Sequence, residues 1–288
     1  MVSELEAIID SIVAGNTVDV KLHQICDKMF VLNDEKKEKR FGLHLSELTA
    51  PFKGKTQMCF RQHVLGRHYE PVEHQRPMPV KSLRIFLEGW YVHLKWQRLF
   101  RESGRAVEIE NTRLDPIWGI YHTPDIIAKF PELTKDELWI IEIKSMSHAS
   151  YQKALEETDP LKIHPGGYKQ SQMYMYLVGC KKAMLLLEDK DNQEHREVSF
   201  DYDPDFVASY VHRLNILSQL WPAYDTENKV PPRVCSDSNT SRAVNCPMAH
   251  VCWVAKPERE KYRLKDVLPT LQINASLIHR EADEKNGN

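Results

Sequence analysis

The sequence lacks what a membrane-spanning chain or a secreted disulfide scaffold requires. No apolar run approaches the roughly 20 residues needed to cross a bilayer. The opening Met1-Val2-Ser3-Glu4-Leu5-Glu6 is acidic where a signal peptide is basic and then apolar. A cytoplasmic, intracellular protein with no membrane partner is therefore expected. Charge of one sign is lacking too: 39 Lys and Arg meet 41 Asp and Glu, for a net charge of −2. That balance neither points to nor excludes an anionic partner, because local basic stretches such as Lys95, Arg98, Arg101 and Arg105 can serve instead. A nucleotide-binding P-loop is missing as well. Gly54-Lys55-Thr56 has Thr49 where the pattern needs its first glycine, so the chain should not drive its own unwinding. No internal repeat is evident.

What is present is an ordinary soluble composition, 42% hydrophobic and 28% charged, over 288 residues. Ser3 and Glu6 form a capping box ahead of a helix running to about Gly15. A second helix is expected over 21–32 and a charged loop over 33–40. Apolar residues at Leu83, Phe86, Leu87, Trp90, Leu94 and Phe100 give a helical period across 81–101. Strands are expected over 106–112, 119–130 and 138–143, then a helix over 167–177, and strands over 183–188 and 196–201. Asp203-Pro204 opens a further helix as N-cap and first turn. His63, His68 and His74 lie in a stretch without metal-ligand spacing and read as surface residues. The order predicts an α/β fold, a central mixed β-sheet flanked by helices. It divides into a helical N-terminal segment (1–80), a core (81–225) and a cysteine-bearing C-terminal segment (226–288).

One cluster carries chemistry. Glu142-Ile143-Lys144 ends an apolar strand, and residues two apart project from one face, so Glu142 and Lys144 point together. If Asp125 lies on the neighbouring strand, two carboxylates and an ammonium converge. Two anionic oxygens suit Mg²⁺ or Mn²⁺, and the carbonyl of Ile143 is a further ligand candidate. A lysine beside them can orient water and offset charge developing at phosphorus. An E-x-K triplet alone is more often the mark of an exposed ion pair at a strand end.

Pro124-Asp125 followed by Glu142-Ile143-Lys144 resembles the PD-(D/E)xK nuclease superfamily, whose restriction-endonuclease-like core has the architecture expected above. Two features are similar to its RecB-type branch. Gly89 and His93 share a helix face, and the resemblance implies that His93 binds metal with Asp125 and Glu142, while Lys144 is catalytic. Gln170 and Tyr174 match the branch's Q-x-x-x-Y pattern, which contacts DNA and supports the site; Gln172 and Tyr176 fit the spacing equally, but Leu177-Val178-Gly179 agrees better with the first register. An amphipathic helix would show a similar pattern.

Six cysteines in an intracellular chain argue for burial or metal rather than disulfides. Cys26 and Cys180 fall in apolar surroundings and read as core. Cys59 upstream and Cys235, Cys246 and Cys252 downstream resemble the arrangement of the CRISPR-associated four-cysteine exonucleases, which implies a 4Fe–4S cluster pinning distant segments together. Ten residues separate Cys235 from Cys246, longer than that family's usual spacing. Structural Zn²⁺ is the alternative, with His250 able to replace a cysteine. The resemblance implies an exonuclease acting on single-stranded DNA or free ends from the 5′ side, with recombination, adaptation or helicase proteins as possible partners. The competing expectation is a nuclease-like DNA-end binding or assembly subunit with little turnover.

Overall fold

The structure, a computed structural model, describes residues 43–49, 59–71, 79–134 and 136–264. The expected N-terminal helices, Cys26, His74 and the last residues lie outside these. Residues 79–88 belong to one compact unit and all other described residues to a second. The second unit holds both sheets and every site discussed below.

In chain order the elements are β1 (Leu43–His44), α1 (Leu45–Thr49), α2 (Phe60–Gly66), α3 (Val80–Glu102), β2 (Ala106–Ile109), β3 (Arg113–Leu114), β4 (Ile120–His122), β5 (Ile126–Lys129) and β6 (Leu138–Met146). There follow α4 (His148–Glu156), α5 (Pro160–Ile163), α6 (Pro165–Val178), β7 (Lys182–Asp189), β8 (His195–Asp201) and α7 (Pro204–Glu227). Short helices α8 (Ser241–Val244), α9 (Ala249–Cys252) and α10 (Lys256–Arg259) complete the described chain with a 3₁₀ turn at Glu260–Tyr262.

The main sheet has the order β2-β5-β6-β7-β8. It is mixed: β2, β5 and β6 are antiparallel in turn, β6 and β7 are parallel, and β8 is antiparallel to β7. A parallel step needs a crossover, and α4, α5 and α6 provide it. Alternation along β6 sorts its side chains. Ile141 and Ile143 join Ile126, Met184 and Leu186 against Val92, Trp96 and Phe100 of α3. Ile140 falls in the opposite cluster, with Ile127, Met173 of α6 and Leu214 and Leu217 of α7. The α/β architecture expected from the sequence, helices on both faces of a mixed sheet, is the one observed.

Three expectations need correction. The stretch 119–130 is not one strand: β4 belongs to a small sheet with β1 and β3, while β5 enters the main sheet. The break falls at Thr123-Pro124-Asp125, where proline supplies no N–H for a ladder. The strand expected over 106–112 likewise stops at Ile109, because Glu110 turns the chain with φ +44°. His63 and His68 are not surface residues. His63 lies in α2, and burial beside Arg242 lowers its pKa to about 4. His68 is buried, its ring 4.6 Å from that of Tyr224 and its Nε2 3.1 Å from Asp225. Helices α4 and α5 add to the elements expected from the sequence. At Asp203 the expected cap is present, the carboxylate accepting from the Phe206 N–H at 2.9 Å.

Candidate metal and catalytic site

Strand β6 carries Glu142 and Lys144 on the face toward α6, and the chain entering β5 brings Asp125 beside them. The Asp125 carboxylate accepts from the Ile143 N–H at 2.7 Å. Lys144 Nζ donates to Glu142 Oε1 at 2.5 Å. His93 reaches the group from α3, its Nδ1 3.5 Å from Asp125 Oδ1. A Cβ on Gly89 would lie 3.1 Å from Ser145 Oγ, so glycine there allows α3 to lie close to β6 one turn before His93. The structure thus brings together Asp125, Glu142, Ile143, Lys144 and His93.

Burial and the two carboxylates dominate the electrostatics of this group. Glu142 is 1% exposed, and its Oε2 has no hydrogen-bond partner. Burial, and then the charge of Asp125, raise its pKa to about 7 against the opposing pull of Lys144 and His93. Burial lowers His93, but its hydrogen bond to Asp125 and that residue's charge outweigh it, and its pKa ends above the ordinary value. Lys144 is likewise opposed by burial and held up by the charges of Glu142 and Asp125. A divalent cation would satisfy the stranded oxygen, and carboxylates, a carbonyl and an imidazole are a donor set that Mg²⁺ or Mn²⁺ accepts. Sequence reasoning missed one donor. Glu110, exposed at the turn after β2, places a carboxylate oxygen within 4.8 Å of a His93 ring nitrogen and an Asp125 carboxylate oxygen. Its backbone N–H bonds the Asp125 carbonyl at 3.1 Å, a pairing that only the folded turn reveals.

Two further features surround the site. Glu188 of β7 is buried and accepts from Lys95 Nζ and Trp96 Nε1, both at 2.6 Å, which fastens α3 to the sheet next to His93. His164 lies between α5 and α6. Burial and the Lys144 charge lower its pKa to about 4, which keeps it neutral. On α6, Gln172 is occupied by backbone, donating to the Asp201 carbonyl at 2.9 Å and accepting from the Asp203 N–H at 2.8 Å. Gln170 is half-buried, and Tyr174 is buried with its ring 6.4 Å from that of His122.

Far along the chain, Cys59, Cys235, Cys246 and Cys252 line one cavity of about 370 Å³, counted with the solvent at its mouth. All four are free thiols. Burial raises Cys59 and pushes Cys246 up to about 12, with the other thiols adding to both shifts. Arg61 and Arg233 border the same cavity. Arg61 Nε lies 3.2 Å from Cys252 Sγ, and both guanidinium groups bond the Cys252 carbonyl. His250 does not line the cavity; its ring packs edge-on against Tyr262 at 4.8 Å. Cys180 is buried in the core, as expected.

Among the described residues no helix is long and apolar enough to cross a membrane. No family model matches the chain, and no curated protein matches it in sequence. Among solved structures it is similar to an alkaline exonuclease, LHK-Exo, from Laribacter hongkongensis, at 16% identity and a TM-score of 0.43 over 63% of this chain and 88% of that one. It is similar to SSO0001 at 15% identity and a TM-score of 0.40, over 69% and 87%. A phage-related exonuclease from Haemophilus somnus 129PT aligns at 16% identity and a TM-score of 0.35, over 66% and 98%.

Proposed function

We propose that the chain is a metal-dependent deoxyribonuclease of the PD-(D/E)xK type. The observation that carries this reading is the convergence of Asp125, Glu142 and Lys144 around a buried carboxylate oxygen with no partner. Asp125, Glu142, the Ile143 carbonyl and His93 would hold Mg²⁺ or Mn²⁺, with Glu110 close by. A bound divalent ion polarises phosphoryl oxygens and acidifies water. Lys144 orients the attacking water and offsets negative charge at phosphorus. Gln170 and Tyr174 support the site from α6.

Single-stranded DNA ends are the proposed substrate. Trp90 and Tyr91, on the same helix as His93, are 52% and 53% exposed with their rings 5.4 Å apart. Exposed aromatics on the helix that carries His93 suit unpaired bases, because every base offers a face for stacking. Exonuclease action from the 5′ end, a cytoplasmic setting and association with recombination, adaptation or helicase proteins follow from the resemblance of the motifs. The decisive assay is digestion of end-labelled single-stranded DNA with Mg²⁺ or Mn²⁺; binding without products would instead identify a DNA-end binding subunit.

The four cysteines are proposed to hold a 4Fe–4S cluster. What supports a shared group is that four thiols from segments far apart in the chain line one cavity, and a 4Fe–4S cluster takes four thiolates; a single structural zinc is the competing occupant. Arg61 and Arg233 would offset the negative charge of four thiolates.

A further inference from the structure

Three of the helices that start with a side-chain cap use the residue types that cap best. Asp159 caps α5, Asp203 caps α7 and Thr240 caps α8. Helix α6 departs from this pattern, since His164 is its N-cap and accepts from the Gly167 N–H through Nδ1 at 2.9 Å. An imidazole nitrogen that accepts carries no proton, so the ring's proton is on Nε2, a donor that Asp, Ser or Thr at a cap would not present in the same place. Capping alone does not call for histidine.

The neighbourhood places the imidazole beside the proposed catalytic lysine. Gly167 is wedged between the His164 ring and the Lys144 side chain: a Cβ there would lie 3.0 Å from His164 Nδ1, 3.3 Å from Lys144 Cε and 2.7 Å from Leu185 Cδ2. One glycine therefore separates the imidazole from the stem of the proposed catalytic lysine. At Gly166 a Cβ would make only ordinary contact, 3.6 Å from His164 Cε1. His164 is half-buried.

We propose that His164 donates its Nε2–H to a phosphate oxygen of the DNA substrate on the Lys144 side of the site, which makes it a substrate-contacting residue. This rests on the nuclease reading given above. The ammonium of Lys144 supplies charge, and the neutral imidazole supplies a directed hydrogen bond without adding a second cation beside it.

His164→Asn separates the two roles of the residue, because asparagine is among the best N-caps but lacks the distal donor. The expected result is an unchanged melting temperature with kcat/KM on end-labelled single-stranded DNA lowered by about 10- to 100-fold, given that losing a hydrogen bond to a charged group weighs about 1.5–3 kcal/mol. Gly166→Ala should keep wild-type activity, whereas Gly167→Ala should lower it. Wild-type kcat/KM and melting temperature in His164→Asn would overturn the proposal and leave the nuclease reading standing. If the wild-type protein cuts no DNA, the nuclease reading fails, and the comparison moves to binding of a labelled single-stranded oligonucleotide in Ca²⁺. Equal Kd for the wild-type and His164→Asn proteins would then overturn the phosphate contact.

Discussion

The carboxylate of Asp125 accepts the backbone N–H of Ile143 at 2.7 Å, which ties the chain entering β5 to the residue between Glu142 and Lys144. Its other oxygen faces His93 at 3.5 Å. Asp125 therefore both shapes the site and charges it. Asp125→Asn retains an oxygen that can accept from Ile143, so the fold should persist while Mn²⁺ affinity and cleavage fall, the latter by at least ~100-fold as one anionic oxygen is lost from the proposed cation site. Asp125→Ala should in addition lose about 1–3 kcal/mol by stranding a backbone donor. Calorimetric Mn²⁺ titration and thermal melting of the two variants separate these effects.

Glu142 gives the metal-free protein an inverted pH dependence. Its pKa in the fold is about 7, above the ordinary 4.5. Its contribution to folding is thus fully present below pH 4.5 and lost as pH rises through about 7. Melting in a chelator should show a loss on the order of 1–3 kcal/mol between those limits, and Glu142→Gln should remove it. Mn²⁺ selects the ionised carboxylate, so its stabilising effect should grow over the same interval. A metal-free wild type and Glu142→Gln with parallel pH profiles would contradict this.

The part of this site that the sequence reveals is the part built locally. Strand β6 is legible because an apolar run ends in Glu142-Ile143-Lys144, and side-chain alternation then puts the two charges on one face. Helix α3 is legible from its apolar period. The rest depends on contacts between distant residues. The break at Pro124 divides two sheets, and nothing in the isoleucines on either side of it shows which strand belongs where. His68 is buried by Tyr224 and Asp225, more than 150 residues away in the chain. Glu110 joins the site only because a turn with positive φ sets it against Asp125. The same holds for Glu188 and His164, ordinary polar residues in the sequence whose partners appear only on folding.

Glu188 is expected to act through α3. Replacing it by alanine removes the acceptor for Lys95 and Trp96, at a cost of about 1–3 kcal/mol once the solvent exposure of Lys95 is allowed for. Because His93 precedes Trp96 by three residues, Mn²⁺ binding should weaken as well. A stable Glu188→Ala protein with unchanged Mn²⁺ affinity would show that this anchor does not position His93.

The thiol cavity makes a prediction visible by eye. Protein purified without oxygen should be brown, with broad visible absorption and near-stoichiometric iron. Cys246→Ser should lose the colour and melt at lower temperature, since Cys59 would no longer be fastened to the segment carrying Cys235, Cys246 and Cys252. A colourless protein with one zinc per chain would replace the cluster with a single ion.

The most direct test of the nuclease assignment is incubation of 5′- and 3′-end-labelled single-stranded DNA with the wild-type and Lys144→Ala proteins, with Mn²⁺ and with chelator. The expected result is metal-dependent shortening of the DNA by the wild-type protein and none by Lys144→Ala, with both proteins folded. Equal cleavage by the two proteins, or cleavage that persists in chelator, would contradict a site built on Asp125, Glu142 and Lys144.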